Sequence, residues 1–204
     1  DEMLEMSSSG AGVLMARSVE FGRRYNVPII VKSTFTNNKG TVVKEKTMEE
    51  AIVSGVTHND KEVKFTLFGV PDQPGIAGTV FGSLSEIGTN VDMIVQNVSK
   101  ESITDISFTA PSEQQKDVED TLKNISKQLD AKGYDVDENI ARISIIGAGM
   151  KSESGVASKM FKTLGDNKIN ISMISTSPIR VSCVISSNDI EKALNVLHEE
   201  FITN

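Results

Sequence analysis

The residues best suited to chemistry lie in segment 69–77, between a predicted strand and a predicted helix. Pro74 fits a first helical turn because it has no N–H group to leave unpaired there. Gly75 lets a ligand approach the backbone, and the free amides of a first turn attract an anion such as a carboxylate. Asp72 could receive an ammonium group nearby, so the segment predicts recognition of an α-amino acid. A turn in which Asp72 caps the helix is the alternative.

The setting of this segment recurs 80 residues later in the chain. Seven identical residues keep this constant offset: Gly75 and Gly155, Ala77 and Ala157, Phe81 and Phe161, Leu84 and Leu164, Asn90 and Asn170, Met93 and Met173, Ile94 and Ile174. Such a repeat predicts two copies of one small domain, each with a strand, a glycine-containing loop, an amphipathic helix and a second strand. We therefore predict two equivalent sites for a small ligand.

Further polar residues are candidates for these sites. Asn90 and Asn170 are predicted to open equivalent strands, where an amide side chain can both donate and accept hydrogen bonds. A turn asparagine is the alternative. Gln96 is polar within a strand whose neighbours are apolar. The expected polar rim of the second site consists of Met150, Lys151, Ser152, Thr176 and Ser177.

The composition limits the class of protein. A formal charge of -7 argues against binding to nucleic acid or to an anionic membrane surface. The single cysteine, Cys183, fits a reducing cytoplasm and offers no disulfide framework or thiolate metal site. No apolar run approaches the ~18–20 residues of a membrane-spanning helix. Since the chain begins at Asp1 rather than methionine, we expect a fragment of a longer cytoplasmic protein.

The hydrophobic pattern predicts an α+β fold. Residues 1–43 read as two helices and a strand, too small a piece to bury its own apolar surface, so we expect it to pack against a domain outside this chain. Residues 44–50 read as a charged linker and residues 51–57 as a strand. The first copy then has the order βαββαβ of a ferredoxin-like, split-βαβ domain. Its predicted elements are strand 62–69, a helix after Pro74 that ends at Gly88, strand 90–98, a hairpin through 99–102, strand 103–110, helix 112–131 stopped by Gly133, and strand 134–136.

The second copy lacks its last strand. Its predicted elements are strand 141–148, helix 155–165, strands 169–176 and 179–186, and helix 188–201. Because the sheet would keep an unpaired place, strand 51–57 is the available filler, and the first copy would then be inserted into the second. The predicted boundaries are 1–43 for the N-terminal piece, 44–61 for the linker and filling strand, 62–139 for the first domain and 140–204 for the second.

No catalytic or metal site is predicted. Gly147 and Gly149 lack the third glycine of a dinucleotide fingerprint, and Lys151 is not preceded by the glycine of a phosphate loop. His58 and His198 are isolated from other ligands at metal-binding spacing. No nucleophile and base stand at catalytic spacing.

Four segments together resemble a known family: 69–77, 90–97 (Asn-Val-Asp-Met-Ile-Val-Gln-Asn), 147–152 (Gly-Ala-Gly-Met-Lys-Ser) and 174–177 (Ile-Ser-Thr-Ser). They look like the paired ACT domains of bacterial aspartate kinase, and residues 1–5 and 18–28 look like the end of its kinase domain. The resemblance covers nearly the whole chain. It implies two ACT domains, one inserted in the other, plus a remnant of the kinase domain.

The resemblance also implies a function, which is feedback regulation by threonine and/or lysine bound where ACT domains of two chains meet. The implied effector-facing residues are Asp72, Gln73, Pro74, Gly75, Ile76, Ala77, Asn90, Val91, Asp92 and Gln96 in the first copy, and Val156, Ala157, Asn170, Ile171 and Ser177 in the second. The implied partners are a second copy of the chain and the kinase domain of the same enzyme. ATP and Mg²⁺ belong to that kinase domain, so this chain is expected to hold no cofactor and to be inactive alone.

Two departures from the family pattern matter. The family has His-Pro-Arg where this chain has Met15-Ala-Arg17, at the junction with the kinase domain. It commonly has an acidic residue at the position of Pro178, so the grip on a lysine side chain is weakened and threonine is favoured.

Two other functions compete with this reading. An ACT module that dimerises without any ligand is the main alternative. An acylphosphatase-type enzyme would need a loop arginine, whereas the loops offer Lys151. Nucleic-acid binding through the sheet is disfavoured by the charge and by an aromatic content of 5%.

Overall fold

The computed structural model describes residues 1–45, 51–98 and 103–203. The N-terminal piece contains helices α1 (Glu2–Ser8) and α2 (Ala16–Arg24) and strands β1 (Ile29–Val31) and β2 (Thr41–Val43), which pair in antiparallel fashion. The two helices and β1 agree with the prediction, whereas β2 is a second strand that the prediction did not include. Most of the predicted linker, residues 46–50, lies outside the described residues.

The filling strand is present in the second sheet. Strand β3 (Gly55–Asn59) pairs antiparallel with β8 (Ile140–Ile146). The order of that sheet is β3, β8, β10 (Arg180–Ser186) and β9 (Met173–Ser177). The strand begins four residues later than predicted and ends two residues later, at Asn59. The inference that the first copy is inserted into the second is therefore confirmed.

The first copy forms a four-stranded antiparallel sheet of order β5-β6-β4-β7. Its elements are β4 (Glu62–Pro71), α3 (Ile76–Glu86), β5 (Ile94–Val98), β6 (Ile103–Pro111), α4 (Gln115–Gln128) and β7 (Gly133–Asp137). Phe65, Leu67 and Phe108 of the sheet are buried with Leu84 of α3 and Leu122 of α4. The alternating and helical apolar patterns therefore build one core between the sheet and its two helices.

Several element boundaries differ from the prediction. Strand β4 runs on to Pro71 through an irregularity between Leu67 and Val70, where Gly69 adopts φ +62°. Helix α4 ends at Gln128, and the left-handed residue after it is Asp130 (φ +52°) rather than Gly133, which begins β7.

Helix α3 also differs from the prediction at both ends. It begins at Ile76 with Gly75 as its N-cap, so Pro74 lies before the helix and not in its first turn. Ile87 is 40% exposed because the helix ends at Glu86 and Ile87 is its C-cap. Gly88, the residue predicted to end the helix, has a left-handed conformation with φ +72°. The predicted hairpin 99–102 lies outside the described residues.

The second copy repeats this plan. Its elements are β8, a 3₁₀ turn at Ala148–Lys151, α5 (Val156–Asp166), β9 (Met173–Ser177), β10 (Arg180–Ser186) and α6 (Ile190–His198), followed by a π-helical turn at Glu199–Thr203. Ile143 and Cys183 of the sheet pack with Leu164 of α5 and Leu197 of α6. Burial raises the pKa of the Cys183 thiol to about 12, so this thiol stays protonated. The two copies therefore have separate, equivalent cores.

The copies meet through residues that the repeat makes equivalent. Met93 and Met173, which are 80 residues apart, belong to one buried apolar cluster with Ile140 and Val184. Helices α1 and α2 lie outside both cores. Within residues 1–45, 51–98 and 103–203, no helix combines the length and the apolar character that crossing a membrane requires.

Candidate functional site

A cavity of about 410 Å³ lies at the start of helix α5 in the second copy. Its lining comes from the loop before the helix, the first turn of the helix and the end of strand β9: Met150, Lys151, Glu153, Gly155, Val156, Ala157, Thr176, Ser177, Pro178 and Val181. The volume is suited to a small ligand. Six of these residues were also predicted for the second site, which stays a prediction: Met150, Lys151, Val156, Ala157, Thr176 and Ser177.

The first turn of α5 presents free donors to this cavity. Gly155 is the N-cap with φ +93°, a left-handed conformation in which glycine carries no steric cost. Among the backbone hydrogen bonds of the described chain, none engages the amides of Val156, Ala157 or Ser158, whereas Lys159 donates to the Gly155 carbonyl at 2.9 Å. Free amides at a helix start attract a carboxylate, because the helix dipole is positive at that end.

Charged and hydroxyl side chains surround these amides. Lys151 and Glu153 are exposed, and the side chain of neither makes an ion pair or hydrogen bond in the part of the chain that the structure describes. Thr176 and Ser177 bring two hydroxyl groups from the end of β9, and the Ser177 hydroxyl accepts from the Ile179 amide at 3.4 Å. The cavity therefore offers one cation, one carboxylate and several neutral partners.

The first copy presents the same helix start without the same loop. Gly75 is the N-cap of α3 with φ +97°, and the amides of Ala77 and Gly78 have no backbone acceptor in the described chain. Asp72 is exposed and makes no capping bond to the helix, so the alternative in which it caps α3 is wrong. Gln73, Pro74 and Ala77 are also exposed, whereas Ile76 packs on the first core.

The two asparagines do not open strands. Asn90 and Asn170 are exposed and lie in irregular segments, because the strands after them begin only at Ile94 and Met173. The next residues, Val91 and Ile171, are partly buried against the first and the second core. Neither Asn170 nor Ile171 lines the cavity. The two segments thus have equivalent conformations in the two copies, and their apolar residues Val91 and Ile171 contribute to the cores.

Gln96 is exposed on β5, which is an edge strand of the first sheet. Its polarity therefore suits its position without any ligand, because β5 has a free edge and Gln96 faces solvent. Asp72 and Gln96 remain open to a ligand or to another protein chain.

Asp92 makes an interaction that the sequence did not predict. Its Oδ2 lies 2.6 Å from Nη2 of Arg142, and the same nitrogen lies 2.8 Å from Oε1 of Glu62. Arg142 is 1% exposed, Glu62 5% and Asp92 33%. Burial raises the pKa of the Glu62 carboxyl above its ordinary value, an effect that Arg142 opposes and Asp92 reinforces. The Asp92 carboxylate is thereby tied to the second copy.

The structure therefore brings Val156, Ala157 and Ser177 together in the cavity and places the first-copy residues on an exposed loop and an edge strand. Sequence reasoning missed Glu153 and Val181 among the lining residues. Glu153 could have been found from its position, two residues before the glycine that starts the helix. Nothing in the sequence marks Val181 as a lining residue rather than a core residue.

Comparison with known proteins identifies the domains. A family model described as ACT domain matches residues 64–130, and another with the same description matches residues 143–201. An aspartate kinase of Pseudomonas fluorescens is 45% identical over 204 residues, covering 98% of this chain and 49% of the relative. The chain thus spans about half the length of the curated relatives that it matches.

Two solved structures are of shorter relatives, and this chain matches nearly their whole length. The regulatory subunit of aspartate kinase from Thermus thermophilus, in its ligand-free form, is 35% identical, with a TM-score of 0.70 over 74% of this chain and 99% of that one. A structure of aspartokinase alpha and beta subunits is 38% identical, with a TM-score of 0.69 over 72% of this chain and 97% of that one. The chain therefore belongs to the family of ACT-domain regulatory regions of aspartate kinase.

Proposed function

We propose that this regulatory region senses an α-amino acid, with threonine preferred to lysine, in the cavity at the start of α5. The observation that carries the proposal is the row of amides at Val156, Ala157 and Ser158 without a backbone acceptor, at the start of a helix whose first turn lines the cavity together with Lys151 and Glu153. The amides and Lys151 would receive the α-carboxylate, and Glu153 would receive the α-ammonium group. The hydroxyl groups of Thr176 and Ser177 are available to a side-chain hydroxyl.

The charges of the cavity favour threonine over lysine. Among the lining residues Glu153 is the one carboxylate, and the α-ammonium group would occupy it. A lysine effector carries a second ammonium group, which would lie beside Pro178 and Val181 without a counter-ion. An unpaired ammonium group in a partly desolvated site costs free energy.

The proposed assembly is a homodimer in which ACT domains of two chains complete the sites. The exposed Asp72 and the edge-strand residue Gln96 would contribute from the first copy of the partner chain. The kinase domain of the same enzyme is the proposed partner of the N-terminal piece, where Met15, Tyr25 and Phe35 are strongly exposed. Activity on ATP and aspartate would belong to that domain, and a cytoplasmic location stays a prediction.

The proposed mechanism is thermodynamic linkage. An effector that binds more tightly to one arrangement of the ACT domains shifts the population toward it, and that arrangement would hold the kinase domains inactive. Couplings of this kind are typically about 1–3 kcal/mol.

Calorimetric titration of the chain with threonine and then with lysine tests the proposal. We expect saturable binding of threonine and weaker or absent binding of lysine. Asp72→Ala and Gln96→Ala should each weaken threonine binding, while Glu86→Ala, an exposed control at the end of α3, should not. No binding of either amino acid would contradict the sensor, and tighter binding of lysine would contradict the argument from Pro178 and Glu153.

A dimerisation module without a ligand is the second candidate function. Edge strands β5 and β9 expose the equivalent residues Ile94 (51%) and Ile174 (43%), and an exposed apolar edge favours pairing with another chain. Analytical ultracentrifugation separates the two candidates. A dissociation constant of the dimer that does not change with saturating threonine would favour this alternative.

A further inference from the structure

Helix α1 contacts one wall of the cavity although it contributes no lining residue. Oε1 of Glu2 accepts a hydrogen bond from the backbone amide of Ala148 at 2.8 Å and from the Ser54 hydroxyl at 2.5 Å. Ala148 opens the 3₁₀ turn whose last residues, Met150 and Lys151, line the cavity. The carboxylate of Glu2 therefore holds the beginning of the turn that carries Lys151.

The same helix contacts a second wall of the cavity through Arg180. Nη1 of Arg180 lies 3.1 Å from Oε2 of Glu5 and donates to the Ser9 hydroxyl at 3.4 Å. Arg180 lies in the chain between the lining residues Pro178 and Val181. The Gly147 amide donates to the Ile179 carbonyl at 3.0 Å and so joins the two walls. Both walls are thus connected to α1 by polar contacts.

Close packing leaves these contacts little freedom. A Cβ atom added to Gly147 would lie 2.0 Å from the Ile52 carbonyl oxygen, and one added to Gly10, just after α1, would lie 1.9 Å from the His58 carbonyl oxygen. The turn before α5 therefore packs closely against the backbone of residues 51–53, and the end of α1 packs closely against strand β3. A shift of the turn cannot be absorbed locally, because packed interiors transmit displacements.

We propose that Glu2 and Arg180 are positioning residues that couple occupancy of the cavity to helix α1. The inference rests on the proposed function, because it requires an amino acid in the cavity. A ligand carboxylate bound by Lys151 and the α5 amides fixes the turn, and the fixed turn keeps the Ala148 amide aligned with Glu2. By reciprocity, contacts that hold α1 in place raise the affinity for the ligand by the same factor. The residues that resemble the end of a kinase domain are thereby connected directly to the effector site.

Hydrogen exchange of the full chain, with and without saturating threonine, tests this inference. In the wild type we expect threonine to slow exchange in two separate segments, residues 155–160 at the cavity and residues 4–10 in α1. Glu2→Ala should keep the first effect, lose most of the second and weaken threonine binding by about fivefold to tenfold. Arg180→Gln, which removes the other contact, should give the same pattern. Glu20→Ala on α2 is the control of equal charge change and should behave as the wild type, because Glu20 is exposed.

The two segments distinguish the possible failures. Slower exchange at 155–160 with no change at 4–10 would overturn the coupling and leave the proposed function standing. The same α1 effect in the wild type and both variants would overturn the roles of Glu2 and Arg180. No effect of threonine or lysine on either segment would overturn the proposed function and the coupling together.

Discussion

The two ACT copies start their first helices in the same way, but they lead the chain to that start differently. Gly75 and Gly155 are both N-caps with left-handed φ values of +97° and +93°. In the first copy, strand β4 continues to Pro71, whereas in the second, β8 ends at Ile146 and a 3₁₀ turn follows. The cavity in the second copy is lined by residues of that turn, so the loop and not the helix start makes the difference.

The reason for this difference lies partly outside the repeat. In the first copy, Gly69 has φ +62° and its amide donates to Oδ1 of Asp105 at 2.7 Å, which stabilises the irregular strand end. Its equivalent in the second copy, Gly149, packs on the backbone of residues 51–52. The segment that supplies the missing strand therefore also shapes the turn. The two copies therefore have different loops before their first helices, because different residues pack against those loops.

The copies also differ at the position where they meet. Glu62 and Arg142 are equivalent in the repeat, separated by 80 residues, yet carry opposite charges and pair with each other. Asn59 donates to the same Glu62 oxygen at 2.7 Å. A pair between equivalent positions fixes one copy relative to the other. The two copies thus meet as two identical subunits do across a two-fold axis, except that one of the two equivalent residues carries the opposite charge.

The largest expected effect is that of breaking this pair. Arg142→Ala would leave Glu62 buried without its cation, so we expect a loss of about 3–5 kcal/mol in the free energy of unfolding. Urea denaturation measures it. Lys162→Ala, which removes an exposed pair with Asp166, serves as the control and should cause no measurable loss. Equal losses in the two variants would show that the Arg142 cluster does not hold the copies together.

The next effect tests the equivalence of the helix starts. Gly75→Ala and Gly155→Ala each force a side chain into the left-handed region, at a cost of about 1–2 kcal/mol. An added Cβ meets no atom within 4 Å at either position, so the cost is one of backbone strain. Gly82→Ala, inside α3, should instead stabilise the chain by about 0.5–1 kcal/mol. Thermal denaturation measures all three, and a loss at one helix start only would show that the two starts are not equivalent.

A smaller effect distinguishes the copies as ligand sites. Ser177→Ala removes a hydroxyl from the cavity and should weaken threonine binding by about fivefold, since a neutral hydrogen bond contributes about 0.5–1.5 kcal/mol. Asn97→Ala changes the equivalent position of the first copy, on strand β5, and is the matched control. Calorimetry should find its affinity close to that of the wild type. Equal losses would show that the Ser177 hydroxyl contributes no more to threonine binding than Asn97 does.

The smallest effect is one of pH. Because burial raises the pKa of Glu62, the folded chain holds this proton more tightly than the unfolded chain does. The contribution of Glu62 to stability is therefore fully present below the ordinary pKa and is lost as the pH rises through the raised value. The difference in unfolding free energy between the wild type and Glu62→Gln should thus fall as the pH rises from 4.5 toward neutrality. A difference that stays constant or rises would contradict the assigned direction.

Much of the fold could be predicted from local patterns. Alternating apolar residues located the paired strands, helical spacing located α3 to α6, and the missing fourth strand led to the filler β3. These features depend on periodicity and on counting strands, which a sequence displays directly.

The boundaries and the polar contacts could not be predicted in the same way. The turn at Ala148–Lys151 depends on packing against residues 51–53, which are distant in the sequence. Buried Arg142 looks like any charged residue on an exposed strand face until its partners Glu62 and Asp92 are known. The repeat did contain a signal for this pair, namely opposite charges at one equivalent position.

The second copy's cavity is proposed to bind an α-amino acid through the first turn of α5. Amide NMR spectra recorded during a threonine titration test it most directly, because Ala77 and Ala157 are matched probes in the two copies. We expect saturable shifts at Val156, Ala157 and Ser158 that exceed those at Ala77 and Gly78. Saturating threonine that leaves the α5 amides unshifted would rule out this binding site.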